Sequence, residues 1–387
     1  MKPASDNFSS SSLLARHRDR LVLAVVIAAG AMSGFQSAIQ GQPEWCYWEA
    51  LATQPWPEVV GPDKMLFGYL PGFAVLIRPF ITLSQPLGLL LFLAINAGSC
   101  WGIASVLKRM RDEMDRPLPM ALVVMLAIPM YLSLQNNQVV APAVLLALCG
   151  VIWITRGNSW GALALAIAAL IKTMPATLLL PLVLVGHWRK ALLAALAVAS
   201  LSIGLYAASE GLGTGLEAHL DLPAQWSAQN PNRILTDGEI PSSYSDNMSL
   251  SAVMIGLRGI LGDGPTLLVN LGWFVGTLLL TIFATVRGQR QERHPMAWLG
   301  LWLSWTVLAA PFGRYYYLLL LTPTWSWLWP RAAGARSKPL NTIACWLIAL
   351  VPLASRSTEV YVAITVITYV VAVKNLLAAP TATRSLH

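Results

Sequence analysis

Three observations predict an all-α protein, a polytopic transmembrane helical bundle of about ten spans with added interfacial and re-entrant helices. Apolar residues make up 56% of the chain and charged residues 11%, far below the roughly 25% charged residues of a soluble domain. Several apolar runs approach the ~20 residues that cross a hydrocarbon core as a helix, and the short alternating segments of a barrel are not seen. Lys and Arg gather on alternate connections, as the positive-inside rule requires. The net charge of +8 therefore reads as an orientation signal, and nucleic acid is not an expected partner.

Residues 1–20 form a Ser-rich polar tail, with Arg16, Arg18 and Arg20 just before the first apolar run. That run, 21–39, is expected to stay as a signal anchor with the N-terminus cytoplasmic. Residues 40–64 are then an outer loop. The run 65–83 is broken by Pro71, Arg78 and Pro79 and reads as a piece lying in the outer interface. Spans follow at 86–107, 117–133 and 139–155, the first ending at the basic stretch 108–116. Residues 160–186 carry Lys172 and Pro175 in their middle, so they read as a bent pair of short halves. The run 191–209 leads to a second outer loop, 211–247, and an interfacial piece at 248–261. The remaining spans are 265–286, 296–310, 315–329, 340–354 and 360–373, ending in a cytoplasmic tail, 374–387. Residues 21–373 thus form one membrane domain, placed as a multi-pass protein of the cell membrane. The inner segments of this threading hold most of the 26 Lys and Arg, and the outer ones most of the 18 Asp and Glu. The four cysteines, Cys46, Cys100, Cys149 and Cys345, have neither metal nor redox spacing.

The threading brings chemistry to one level. Glu44, Asp63, Gln138, Arg233, Asn247 and Arg314 fall on the outer side, and Lys172 just below it. An ionisable group inside a bilayer costs about 2.5–3.5 kcal/mol on insertion scales. Lys172 has no carboxylate near it in sequence, so it calls for an anionic partner such as a lipid phosphate.

Five strings, in this order, resemble one family. Tyr47-Trp48-Glu49-Ala50, with Phe67-Gly68-Tyr69-Leu70-Pro71 and Arg78-Pro79-Phe80, is similar to its outer-loop pattern. Leu134-Gln135-Asn136-Asn137-Gln138 stands where the family reads QNGQxN, and Ile171-Lys172-Thr173-Met174-Pro175 where it reads IKxxP. Asn247-Met248-Ser249-Leu250 is similar to NQSL, and Pro311 to Tyr317 to a Pro, His and Tyr stretch in which Arg314 is the nearest polar group here. The chain resembles the polyprenyl-phosphate-sugar-dependent glycosyltransferases of the GT-C class, and within them glycosyltransferase family 87, typified by actinobacterial α-1,2-mannosyltransferases. The resemblance implies a GT-C bundle that moves a hexose, mannose in the typical members, from a polyprenyl-phosphate carrier to a lipid or glycan acceptor, with inversion and without a metal or other cofactor. Its partners would be that lipid-linked sugar, the acceptor and membrane lipids.

Such a transfer needs a carboxylate to take the acceptor proton and cations to hold the departing phosphate. The family's catalytic Asp position falls on Pro43, and Glu44 follows it; Glu44 is the first candidate base and Asp63 the second. Lys172, Arg314 and Arg233 are the candidate phosphate and donor ligands. Gln138, Asn247, Tyr69 and Trp48 are the candidate sugar and acceptor contacts. Each has a plainer alternative: a solvated loop carboxylate for Glu44, turn chemistry for Asp63, a snorkelling Lys172, a salt bridge for Arg314, a helix cap for Gln138 or Asn247, and interfacial belt aromatics for Tyr69 and Trp48. A transporter, or a non-catalytic relative that only binds the carrier, shares this architecture. A transporter would be expected to show paired broken halves, whereas the sequence shows one broken helix.

Overall fold

A computed structural model describes residues 10–41, 43–54, 69–111, 118–222, 249–250, 253, 258–289, 295–310, 314–328 and 357–377. Among these residues the chain is helical. In order they are α1 (Ser10–Ile39), α2 (Pro43–Thr53), α3 (Pro71–Thr82), α4 (Gln85–Met110), α5 (Met120–Gln135), α6 (Val140–Thr155), α7 (Trp160–Ile171), a 3₁₀ turn (Met174–Leu178), α8 (Leu179–Leu184), α9 (Trp188–Glu210) and α10 (Leu212–Leu220). After these come a single helical turn (Arg258–Leu261), α11 (Asp263–Gln289), α12 (Pro295–Ala309), a second 3₁₀ turn (Tyr315–Leu321), α13 (Thr322–Leu328) and α14 (Thr358–Leu377).

Among the described residues five helices are long and apolar enough to cross a bilayer: His17–Ile39, Gln85–Met110, Trp188–Glu210, Gly264–Gln289 and Thr358–Leu377. Their outer faces carry bare apolar side chains, among them Val25 and Met32 on α1, Leu90 and Ile95 on α4, Leu196 on α9 and Leu279 and Phe283 on α11. Faces of this kind are stable against lipid and a liability in water. The described residues confirm a helical membrane protein but not the expected count of about ten spans. The helices α5, α6 and α12 have 16, 16 and 15 residues, about 24 Å of rise at most, short of a ~30 Å core. They lie largely inside the protein, where irregular backbone at their ends can be satisfied by neighbours. The expected span 315–329 is a 3₁₀ turn followed by the seven-residue α13. The expected span 340–354 lies outside the described residues.

The two segments expected as outer loops contain helices the sequence reading left out, α2 and α10. The bend expected in 160–186 is present. At Lys172 the backbone becomes extended, with φ −150° and ψ 127°, and Pro175 opens the 3₁₀ turn that follows.

Two polar layers mark the ends of the bundle. At one end Lys108 donates to Asp19 (2.9 Å), which also accepts from the Leu118 backbone, and Arg111 donates to the Ser326 carbonyl. At the other, about 22 Å further along α1 at 1.5 Å per residue, Asn137 Nδ2 donates to the Gly34 carbonyl at 3.0 Å. Residues 19 and 108 thus share one end, and 34 and 137 the other, as the threading requires. Between the layers, hydroxyls join helices: Thr281 and Tyr369 are 2.8 Å apart, and Trp302 Nε1 donates to Thr285. Such bonds join helices where apolar side chains gain little from leaving lipid.

Gly34 is what allows α1 to lie against α5. A Cβ there would stand 2.2 Å from the Leu134 carbonyl oxygen, and at Gly30 one would stand 3.1 Å from the Tyr131 Cα. Gly34→Leu is expected to lower the thermal midpoint of the detergent-solubilised chain by more than the ~1–3 kcal/mol typical of overpacking. Gly98→Ala, at a position with open space around it, should leave the midpoint unchanged or slightly raised. Equal midpoints for Gly34→Leu and the parent would contradict this packing.

Candidate functional site

Lys172 ends α7 because the backbone leaves the helix there, two residues before the restricted Met174–Pro175 step. Its side chain is buried, at 5% exposure. The ammonium stands 4.0 Å from the centre of the Tyr69 ring and 5.1 Å from that of Tyr317. Tyr69 comes just before α3, and Tyr317 lies in the second 3₁₀ turn. Arg314, at the start of that turn, repels the Lys172 charge. Among the described residues no carboxylate pairs with Lys172.

The rings are themselves held. Tyr69 stacks on Phe73 at 4.9 Å and meets Trp48 edge-on at 5.3 Å. Trp48 is wholly buried, and its Nε1 donates to the Asn137 carbonyl at 2.9 Å. Tyr315 donates to Asn136 Oδ1 at 2.7 Å, and Tyr315, Tyr316 and Tyr317 pack edge-to-face in succession. Helix α2, the 136–138 turn, the start of α3, the break at Lys172 and the 314–317 turn therefore meet at one end of the bundle.

Of the residues expected in the site, Lys172, Arg314, Tyr69, Trp48 and Gln138 come together here. Gln138 is buried beside Asn137, its Nε2 donates to the Asn136 carbonyl at 3.4 Å, and its Oε1 has no partner. Tyr69 and Trp48 are packed against protein and present no open ring face, so the stacking on sugar expected of them has no free surface. Glu44 belongs to α2, one turn before Trp48; its side chain lies outside the described residues, as do Asp63, Arg233 and Asn247. Arg78 pins α3 instead, donating to the Ala52 carbonyl, Ser209 and Glu210.

The sequence reading missed Tyr361, in the first turn of α14. It is buried, within electrostatic reach of Tyr317, and its hydroxyl has no partner. Nothing distinguishes it in sequence from a belt aromatic. Asn137 adopts φ 50°, a left-handed position that glycine takes most easily and asparagine tolerates. Among the described residues no group of three or more His, Cys, Asp or Glu is gathered as a metal ion would need.

What this arrangement can do is hold an anion. A desolvated ammonium flanked by ring faces, with a guanidinium beside it, favours a phosphate over any neutral group. The geometry of the 136–138 turn yields a test. Asn137→Gly keeps the backbone and loses the bond to Gly34, for a destabilisation of about 1 kcal/mol. Asn137→Val loses both and should cost about 2–3 kcal/mol, since a β-branched residue is strained at positive φ. Thermal unfolding midpoints of the two variants check the order, and the reverse order would contradict it.

The sequence model of glycosyltransferase family 87 matches residues 67–311. The matched stretch takes in Tyr69, Gln138 and Lys172, starts after Glu44 and Asp63, and stops three residues short of Arg314. No curated protein matches the chain.

Proposed function

This chain belongs to glycosyltransferase family 87, a membrane glycosyltransferase by that membership and its apolar helices, and from this premise we propose that it moves a hexose from a polyprenyl-phosphate carrier to a lipid or glycan acceptor. Mannose is the hexose that the family resemblance favours. The site would open to the outer face of a cell membrane, with both termini cytoplasmic.

One observation carries the donor half of the reading. Lys172 is buried at a helix break, stands over Tyr69 and Tyr317, and has a second cation, Arg314, close by. Lys172, with no carboxylate partner among the described residues and the Arg314 guanidinium near it, makes a site that a phosphate would complete. In the proposed step a base takes the proton of the acceptor hydroxyl. The acceptor oxygen then forms a bond to the anomeric carbon as the bond from that carbon to the phosphate oxygen breaks. The electron pair leaves with the phosphate, whose charge grows from about −1 to about −2. Lys172 and Arg314 answer that added charge at the moment it develops, which is where electrostatic stabilisation accelerates a reaction.

Glu44 remains the first choice of base, with Asp63 second; helix α2 brings residue 44 to the end of the bundle where the cations are. Arg233 is proposed as a further donor ligand and Asn247 as a sugar contact. Gln138 would offer its unpartnered Oε1 to a sugar hydroxyl. Tyr69 and Trp48 serve the lysine in this reading: the Tyr69 ring faces the ammonium, and Trp48 packs edge-on against Tyr69. The chemistry calls for no metal or other cofactor.

Transfer from a synthetic polyprenyl-phosphate hexose, measured with the full chain in lipid nanodiscs, tests both halves. Lys172→Ala should lower kcat/KM by about 100-fold or more, and an unchanged value would remove Lys172 from the site. Glu44→Gln should lower transfer by about 10²–10⁴-fold with carrier binding retained. Full transfer by Glu44→Gln would pass the role of base to Asp63.

A further inference from the structure

The first turn of α3 has an unusual cap. Its N-cap residue is Leu70, which has no side-chain acceptor to offer, and Pro71 follows with no N–H. The Gly72 N–H, one of the orphan donors of the first turn, instead donates to Ser202 Oγ on α9 at 3.2 Å. A Cβ at Gly72 would stand 2.6 Å from the Ser202 Cα, so only glycine lets the two backbones come this close. Ser202 is 1% exposed and lies 2.7 Å from His219 Nε2 on α10. His219 Nδ1 faces the Gly215 carbonyl at 2.6 Å. A carbonyl can only accept, so Nδ1 carries a proton, and in that tautomer Nε2 is the acceptor for the Ser202 hydroxyl. The chain of donation therefore has one direction on each side of Ser202: its hydroxyl donates to His219 and its lone pairs receive Gly72.

We propose that His219 and Ser202 are positioning residues for the transfer reaction, a cap supplied from two other helices that fixes the start of α3 and, through it, the Tyr69 ring against Lys172. The path is short. Gly72 adjoins Phe73, Phe73 stacks on Tyr69, and Tyr69 faces the ammonium. The inference rests on the reading of Lys172 as the anion ligand.

The test uses the full chain in nanodiscs with a short-chain polyprenyl monophosphate as probe, alongside hydrogen exchange of the peptide that contains Gly72. Ser202→Ala and His219→Leu should speed exchange at Gly72 and weaken the probe about tenfold, the scale of a lost cap. His219→Gln, which restores an acceptor near Nε2, should bring both readings back to within about threefold of the parent. Thermal midpoints identify any variant that fails to fold, and the comparison of Leu with Gln at one position then decides. Faster exchange at Gly72 with unchanged probe affinity would overturn the proposal, as would a His219→Gln variant no better than His219→Leu. Lys172→Ala is run in parallel. If it binds the probe as well as the parent does, the anion site itself is wrong and the positioning role falls with it; if it loses the probe while His219→Leu does not, only the positioning role falls.

Discussion

A buried ammonium with no counter-ion among the described residues is the constraint on which the rest of this structure turns. Lys172 has left water at the end of α7, and the described residues give it two tyrosine faces and a neighbouring guanidinium, not a carboxylate. Ring faces return about 0.5–2 kcal/mol, less than the ~2.5–3.5 kcal/mol that a charge costs at the centre of a membrane helix. The remainder is held in reserve by the fold. A ligand that brings negative charge recovers it, which is a physical reason for a glycosyltransferase to tolerate the arrangement.

The architecture serves that lysine. Long helices α1, α4, α9, α11 and α14 present apolar faces outward. The shorter α5, α6, α7 and α12 stay among them, and α5, α6 and α7 end or begin where polar side chains meet. Glycine at 34 lets α1 press on α5 and receive Asn137, whose carbonyl in turn holds Trp48. Trp48 edges Tyr69, and Tyr69 meets Lys172. Each contact is ordinary, and in series they carry the placement of one helix into the placement of one charge. The opposite end is closed by the buried pair Asp19–Lys108 and by Arg111, so the two ends are separately pinned.

Much of this was legible in the sequence. Composition fixed the membrane class, and the order of five short strings resembled the family that the chain proves to belong to. Lys172 stood out as a charge in an apolar run beside Pro175, and the helix does break there. Span count was less legible, because apolar length alone does not separate a lipid-crossing helix from a shorter one packed inside the protein. Helix α2 reads as loop in sequence because its aromatic and acidic residues mask a helical period, and α10 because Gly211, Gly213 and Gly215 punctuate it. The surroundings of Lys172 were the least legible. The Tyr69–Phe73 pair, Tyr317 and Tyr361 come from three distant segments, and in a chain with 16 Trp and 10 Tyr no single ring announces its partner. Asn137 looked like a departure from a glycine pattern; its positive φ shows the backbone reason that either residue fits.

The central claim is that Lys172 and Arg314 together receive the phosphate of a lipid carrier. An experimental structure of the full chain with a polyprenyl monophosphate bound tests it most directly. The account predicts a phosphate oxygen within about 3 Å of Lys172 Nζ, the length of a charge-assisted hydrogen bond, with the Arg314 guanidinium on the same phosphate. A phosphate seated elsewhere, with Lys172 paired to Glu44 or Asp63, would contradict it.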